Sequence, residues 1–212
     1  MDTSKILENI EKQKKYTGYH FVGDTLRNGQ PIPKDGEWLA HLGLIELCAS
    51  GLHWCGHPFD ALNYAPGYTL CLVECAGETI FGDDKAVSTH RKIIKRINAE
   101  KIIRGFARWQ AYQVLHLWDA PISVIDSIKT GQELKQEKYL WSINNVSILA
   151  KRSAYNAIDL IKPTGSAALQ AYATSINALA YSSEKFSRED YAHIKKQAYE
   201  DFQLLVDMEF AK

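Results

Sequence analysis

The sequence lacks an excess of charge, since 25 Lys and Arg residues offset 25 Asp and Glu residues among 212. A net charge of zero excludes a uniformly basic, histone-like protein and an acidic solvating tail. No apolar run approaches the roughly 20 residues that a membrane-spanning helix requires. The phosphate-loop, dinucleotide-binding, serine-hydrolase and His-Glu-x-x-His patterns are also missing, which excludes the commonest motif-bearing enzymes.

Cysteines are few, and none forms a Cys-x-x-Cys pair. The four are Cys48, Cys55, Cys71 and Cys75. The first residues, MDTSK, lead into a charged stretch and not into an apolar signal region. We therefore expect reduced thiols and a cytoplasmic protein.

The chain changes character near its middle. Aromatic and β-branched segments predict strands at 16–22, 45–48, 52–55 and 68–75, and residues 93–97 fit either a strand or the approach to a helix. Helices are predicted at 3–15, 58–64, 100–118, 121–131, 133–161 and 166–182, and a last one follows the Ser187 capping box. This order predicts an α+β protein with a β-rich module at 1–97 and a helical module at 98–212.

A dense cluster of potential metal ligands lies in the segment CASGLHWCGH. On an extended strand His53, Cys55 and His57 would share one face, with Cys48 nearby, and these residue types can ligate zinc. The alternative is a half-buried strand whose cysteines act as small apolar residues. Both interpretations stay open from the sequence, and the second needs no metal.

The same region fits a larger pattern: a strand with His20, then GLHW, a short helix ending ALNYA, and an apolar strand. This pattern resembles the nicotinamide-binding core of ADP-ribosyltransferases. The resemblance implies the fold of that core, NAD as cofactor, His20 on the nicotinamide ribose, and His53 where a tyrosine is usual. The family's catalytic glutamate has no counterpart, because Glu74 and Glu78 lie too early in the chain.

A broader resemblance covers about residues 16–118. The segments IELCASGLHWCGHPF, TLCLVECAGE and GDDKAV, followed by FARWQAYQVLHLWDAP, are similar to an uncharacterised domain family of bacteriophages and prophages. The resemblance implies a phage setting, in which small accessory proteins act on host proteins, nucleic acids or defence signals. It implies no activity.

Positive charge is concentrated between residues 85 and 108. Eight basic residues oppose one acid, Glu100, giving this stretch a net charge of +7. They are Lys85, Arg91, Lys92, Lys95, Arg96, Lys101, Arg104 and Arg108. One interpretation is a face for an anionic partner. The other is internal pairing with acids such as Asp83, Asp84 or those of the last helix.

The leading hypothesis is a non-enzymatic phage-type protein that binds a host macromolecule or an anionic ligand through the basic segment. Inhibition of a host defence system is its first version, nucleic acid is a further candidate partner, and it requires no cofactor or membrane. One alternative is an NAD-dependent ADP-ribosyltransferase that uses His20 and His53. Another is a protein that sequesters a nucleotide signal without turnover.

Overall fold

The computed structural model describes residue 10 and residues 12–26, 28–132, 145–158, 165–183 and 185–212. Its strands are β1 (Lys15–Val22), β2 (Trp38–Ala40), β3 (Leu52–Trp54), β4 (Thr69–Phe81) and β5 (Ala86–Asn98). Its α-helices are α1 (Pro58–Ala61), α2 (Glu100–Tyr112), α3 (Ile122–Thr130), α4 (Asn145–Ile158), α5 (Gly165–Ser182) and α6 (Arg188–Phe210). Short 3-10 helices occupy Leu62–Tyr64 and Leu115–Leu117. The predicted α+β class is confirmed.

The described residues form two compact units, one of residues 1–98 with 207–212 and one of residues 99–206. The first unit contains a five-stranded antiparallel sheet in the order β1-β4-β5-β2, with β3 also paired to β5. Strands β4 and β5 are joined by a tight turn in which the Gly82 amide donates to the Lys85 carbonyl at 2.8 Å. This long hairpin is the frame on which the other strands assemble.

The sheet closes on itself through β3. Cys55, which follows β3 directly, exchanges two backbone hydrogen bonds with Tyr19 of β1, at 2.8 and 2.9 Å. A Cβ on Gly18 would overlap the Trp54 ring and lie 2.5 Å from the Cys55 carbonyl oxygen. Glycine at position 18 therefore lets the β3 segment approach β1 closely enough to complete the circuit β1-β4-β5-β3.

The core of this circuit is a cluster of buried residues from all four of its strands. They are Val22, Trp54, Cys71, Val73, Cys75, Ala86 and Ile93. The Trp54 ring lies 6.0 Å from the rings of both Tyr16 and Phe81. β4 and β5 change register between Leu72 and Val73, a bulge of the kind that bends a strand and lets a sheet curl.

The helical unit is held together by small residues and an aromatic cluster. Ala150, Ala154, Ala168, Ala171 and Ala178 are fully buried, which allows helices to approach closely. The Phe106 ring lies 5.2 Å from the Phe202 ring in an edge-to-face arrangement. The buried Ser153 hydroxyl donates to the Ala171 carbonyl at 2.8 Å, so this core leaves that polar group satisfied. None of the described helices has the length and apolar character needed to cross a membrane.

Several sequence predictions are confirmed at nearly the predicted bounds. The strands at 16–22, 52–55 and 68–75 are β1, β3 and the first half of β4, and the helix that opens at Pro58 is present. Asp190 and Ser187 form the predicted reciprocal cap: the Ser187 amide donates to the Asp190 carboxylate at 2.8 Å, and the Asp190 amide donates to the Ser187 hydroxyl at 3.1 Å.

Other predictions are wrong or fall outside the described residues. The strand predicted at 45–48 is a turn, because Glu46 and Ser50 pair with each other and Cys48 has a positive φ of 68°. The helix predicted at 100–118 ends at Tyr112. Most of the helix predicted at 3–15 and the part at 133–144 of the helix predicted at 133–161 lie outside the described residues.

Candidate functional site

An arginine lies inside the sheet of the first unit. Arg91 of β5 pairs in register with Cys75 of β4 on one side and Leu39 of β2 on the other. Cys75 is fully buried, and Arg91 follows it inward with only 5% of its surface exposed. The guanidinium donates to the backbone carbonyl of His53. β5 therefore carries a permanent positive charge into an apolar interior.

The surroundings of Arg91 do not neutralise this charge. Among the described residues no carboxylate forms an ion pair with Arg91, and the His53 carbonyl is its hydrogen-bond acceptor. A guanidinium has five N–H donors, and proteins almost never bury one without a charged partner. Burial lowers the pKa of Arg91, although an arginine stays protonated at neutral pH.

Two thiols face Arg91, and both stay neutral. Burial raises the pKa of Cys75 to about 12, and it raises the pKa of Cys71 to about 11. The charge of Arg91 opposes both increases without overcoming them. A thiolate counterion for Arg91 is therefore excluded at neutral pH.

Both histidines singled out from the sequence lie near Arg91: His20 interacts with its charge, and His53 accepts its hydrogen bond through the backbone carbonyl. His20 lies on β1 opposite Cys71, and its side chain is half-buried. Its pKa is lowered well below the usual value, first by burial, then by Arg91 and then by His53. His20 is therefore a neutral imidazole at pH 7, able to donate from one nitrogen and accept at the other.

The orientation of His53 is fixed by its own turn. Its Nε2 accepts a hydrogen bond from the Cys48 amide at 3.0 Å, which assigns the ring proton to Nδ1. Because the His53 carbonyl also accepts from Arg91, one residue connects the Cys48 turn with the buried guanidinium. The structure thus places His20 and the backbone carbonyl of His53 near Arg91, a residue that the sequence analysis had grouped with a candidate basic face.

The proposed zinc cluster is not formed. His57 caps α1, since its Nδ1 accepts from the Phe59 amide at 3.1 Å. Cys55 is buried, and this raises the pKa of its thiol to about 12. Within the part of the chain that the structure describes, no three His, Cys, Asp or Glu side chains are placed to hold a metal ion. Cys48 and His53 therefore meet through a hydrogen bond, but the four residues do not form a set of metal ligands, and the cysteines other than Cys48 act as buried apolar residues.

The basic segment is divided between the two units. Lys85, Arg91, Lys92, Lys95 and Arg96 lie in the first, and Lys101, Arg104 and Arg108 lie in the second. The prediction that Arg91 belongs to an exposed basic face is wrong, because its side chain is buried.

Several of the other cations have partners nearby. Lys92 pairs with Glu74 at 2.8 Å, and Arg104 pairs with Glu100 at 3.0 Å. Arg96 binds the Asp35 carboxylate through Nε at 2.7 Å. These acids lie on neighbouring strands, on a loop or one helical turn away, and they differ from the acids proposed from the sequence.

A second chain of contacts surrounds Lys85. Its Nζ donates to the Tyr64 hydroxyl at 3.1 Å, and that hydroxyl donates to Asp84 at 2.6 Å. Lys95 donates to the backbone carbonyl of Phe210 within the same unit. Most of the basic side chains between residues 85 and 108 therefore make local contacts near the surface. Arg91 differs from them because it is buried.

The burial of Arg91 had one detectable signal in the sequence. Arg91 and Ile93 alternate with His90 and Lys92, so a strand extended backwards from 93–97 places Arg91 on the face of Ile93. Ile93 is buried in the sheet core. The prediction stopped the strand at residue 93, and the alternation was therefore not followed.

One comparison with known proteins finds a match. Residues 16–105 match a family model described as "Domain of unknown function (DUF7666)". This confirms the coarse expectation of an uncharacterised domain in this part of the chain, and the match covers β1 to β5 and the first residues of α2. No curated protein matches the chain, and no solved structure does. The match carries neither a phage origin nor a likeness to ADP-ribosyltransferases.

Proposed function

We propose that the sheet unit binds a small anionic ligand at Arg91, with His20 as a neutral hydrogen-bonding neighbour. The observation that carries the proposal is the buried guanidinium without a carboxylate among the described residues. Moving an ion from water into a protein interior costs on the order of several kcal/mol unless an opposite charge compensates the loss of hydration. An anion bound beside Arg91 supplies that charge.

The chemistry of the ligand follows from the guanidinium. Its planar fork of donors matches the oxygens of a phosphate or a carboxylate, and two parallel hydrogen bonds form. Burial strengthens such a contact because the local dielectric constant is low. The neutral His20 adds a donor without adding charge, so one anionic group is favoured over a more highly charged cluster.

The surroundings favour binding over group transfer. Glu74 lies between the inward-facing Val73 and Cys75 on β4, which directs its carboxylate to the other face of the sheet. There it pairs with Lys92 and with Lys15 at 3.8 Å. An ADP-ribosyltransferase mechanism needs a carboxylate beside the nicotinamide ribose, and Glu74 does not serve in that position. We therefore propose that the protein retains its ligand without turning it over. Sequestration of a nucleotide signal is one form of this function.

Calorimetry tests this proposal. The purified protein is titrated with inorganic phosphate, ADP-ribose, NAD and cyclic nucleotides, and small molecules that copurify with it are identified by native mass spectrometry. We expect saturable binding of at least one of these anions and its loss in Arg91→Met. Arg96→Met is the matched control, because it removes an arginine of the same strand that has its own carboxylate partner.

Two results would contradict the proposal. One is the absence of binding for every anion tested, together with no copurifying anion. The other is equal affinity in the wild type and in Arg91→Met. Release of nicotinamide from NAD by the wild type would favour the enzymatic alternative instead.

Recruitment of a host macromolecule through the basic segment, with inhibition of a host defence system, stays a prediction from the sequence. The ion pairs of Lys92, Arg96 and Arg104 satisfy part of the charge on which it depends.

A further inference from the structure

The outer face of α2 exposes two large aromatic rings. Trp109 is 52% exposed and Tyr112 is 46% exposed. Their ring centroids lie 6.3 Å apart with planes inclined by 16°, so the rings present nearly parallel faces. Aromatic residues of a helix usually pack into a core, and α2 does bury Phe106, which lies on the neighbouring face of the helix. The exposed pair therefore lies outside the core that the buried Phe106 ring joins.

Cations run along the same face of the helix. Lys101, Arg104 and Arg108 follow one another at spacings of three and four residues, which places them in one row. Arg104 is paired with Glu100, whereas Lys101 is exposed. The Arg108 guanidinium lies against Gly131, where any Cβ would overlap it. A row of positive charge therefore flanks the aromatic pair.

Gly105 lies between these two rows. It precedes Trp109 by one helical turn, and a Cβ at this position would meet no atom within 4 Å. Glycine inside a helix costs about 1 kcal/mol relative to alanine, and packing within the unit does not require it here. Its effect is to leave the surface beside the Trp109 ring flat and open.

We propose that this face of α2 binds single-stranded nucleic acid. Bases stack on Trp109 and Tyr112, while Lys101 and Arg108 contact the phosphates. Proteins that hold single strands combine exposed aromatic platforms with a cationic track in this way, and the stacking is tolerant of sequence because every base has a flat face. The open surface at Gly105 gives a base access to the Trp109 ring. This site is separate from the one at Arg91.

Fluorescence anisotropy with labelled dT15 and rU15 tests the proposal on the full chain. We expect binding that weakens linearly with the logarithm of salt concentration, with a slope of about −1.4 to −2 for two or three neutralised phosphates. Trp109→Ala is expected to weaken binding about 5- to 150-fold with an unchanged slope. The double variant Lys101→Gln/Arg108→Gln is expected to reduce the magnitude of the slope by about 1.4.

Two further variants distinguish binding at this face of α2 from general effects of substitution on folding or on surface aromatic content. Gly105→Leu favours the helix yet covers the surface beside Trp109, so it should retain the helical circular dichroism spectrum and lose binding. Tyr191→Ala removes an aromatic ring that is 48% exposed on α6 and should leave binding unchanged.

Three results would overturn the proposal. The first is no binding of either oligonucleotide at low salt, and the second is full affinity in Trp109→Ala. The third is that heparin and duplex DNA compete with the labelled oligonucleotide as strongly as an unlabelled single strand does. The last result would reduce the face to a site of charge attraction without base stacking.

Discussion

Replacing Arg91 by methionine should stabilise the ligand-free protein. The substitution removes a buried charge whose desolvation costs on the order of several kcal/mol. It also removes one hydrogen bond from a charged donor to the His53 carbonyl, worth about 1.5–3 kcal/mol. Methionine is apolar and flexible enough to fill the space among Cys75 and its buried neighbours. We expect a net increase of about 1–2 kcal/mol in the free energy of unfolding, since the first contribution exceeds the second.

The assay is urea denaturation followed by circular dichroism, in a buffer without phosphate and then with the anion found by calorimetry. A ligand present at 100 times its dissociation constant stabilises the wild type by about 2.7 kcal/mol. Arg91→Met gains nothing from it, so adding the ligand reverses the order of the two stabilities. Arg96→Met, which breaks a partly exposed ion pair, should change stability by less than about 1 kcal/mol under both conditions.

The opposite outcome would refute the reasoning. Removing one partner of an established buried ion pair costs about 3–5 kcal/mol, because the other charge is left uncompensated. If ligand-free Arg91→Met is destabilised by that amount, Arg91 already has a counterion within the folded chain and its burial is structural. A loss of that size would also remove the argument for an anionic ligand.

Three further predictions concern other residues. His20→Asn should flatten the pH dependence of stability. Because the pKa of His20 is lowered in the folded state, the unfolded chain takes up the proton first, and the wild type should lose up to about 1.4 kcal/mol per pH unit as the pH falls below about 6.5. Equal loss of stability in both proteins during acid titration would contradict this. Gly18→Ala should destabilise the sheet unit by about 1–3 kcal/mol in urea titrations, because the added methyl group overlaps Trp54; an unchanged midpoint would show that β3 does not cross β1 closely. Ser187→Ala should cost about 1 kcal/mol by removing the cap on the Asp190 amide, and Ser187→Asp, which keeps an acceptor, should recover most of it in thermal melts.

The parts of the fold that were predictable are those set by local rules. Aromatic and β-branched residues marked β1 and β4, and the reciprocal cap at Ser187 marked the start of α6. The turn at Glu46–Ser50 was missed because Cys48 adopts a left-handed conformation that its residue type disfavours. The closure of the sheet through Cys55 and Tyr19 depends on pairing between distant segments, which periodicity does not encode.

The candidate site was predictable only in part, and the reason is physical. His20 and His53 were singled out by the resemblance to the ADP-ribosyltransferase core. The structure places His20 and the backbone carbonyl of His53 near Arg91. Arg91 itself was grouped with the basic residues of a candidate binding face, although burying an unpaired charge is unfavourable. On the same strand Lys92 and Arg96 have carboxylate partners, whereas Arg91 is buried without one among the described residues. Sequences break such local rules mainly at functional sites, where a ligand supplies the missing interaction. Arg91 therefore departs from Lys92 and Arg96, whose charges have carboxylate partners, and this departure supports the proposal of an anionic ligand at Arg91.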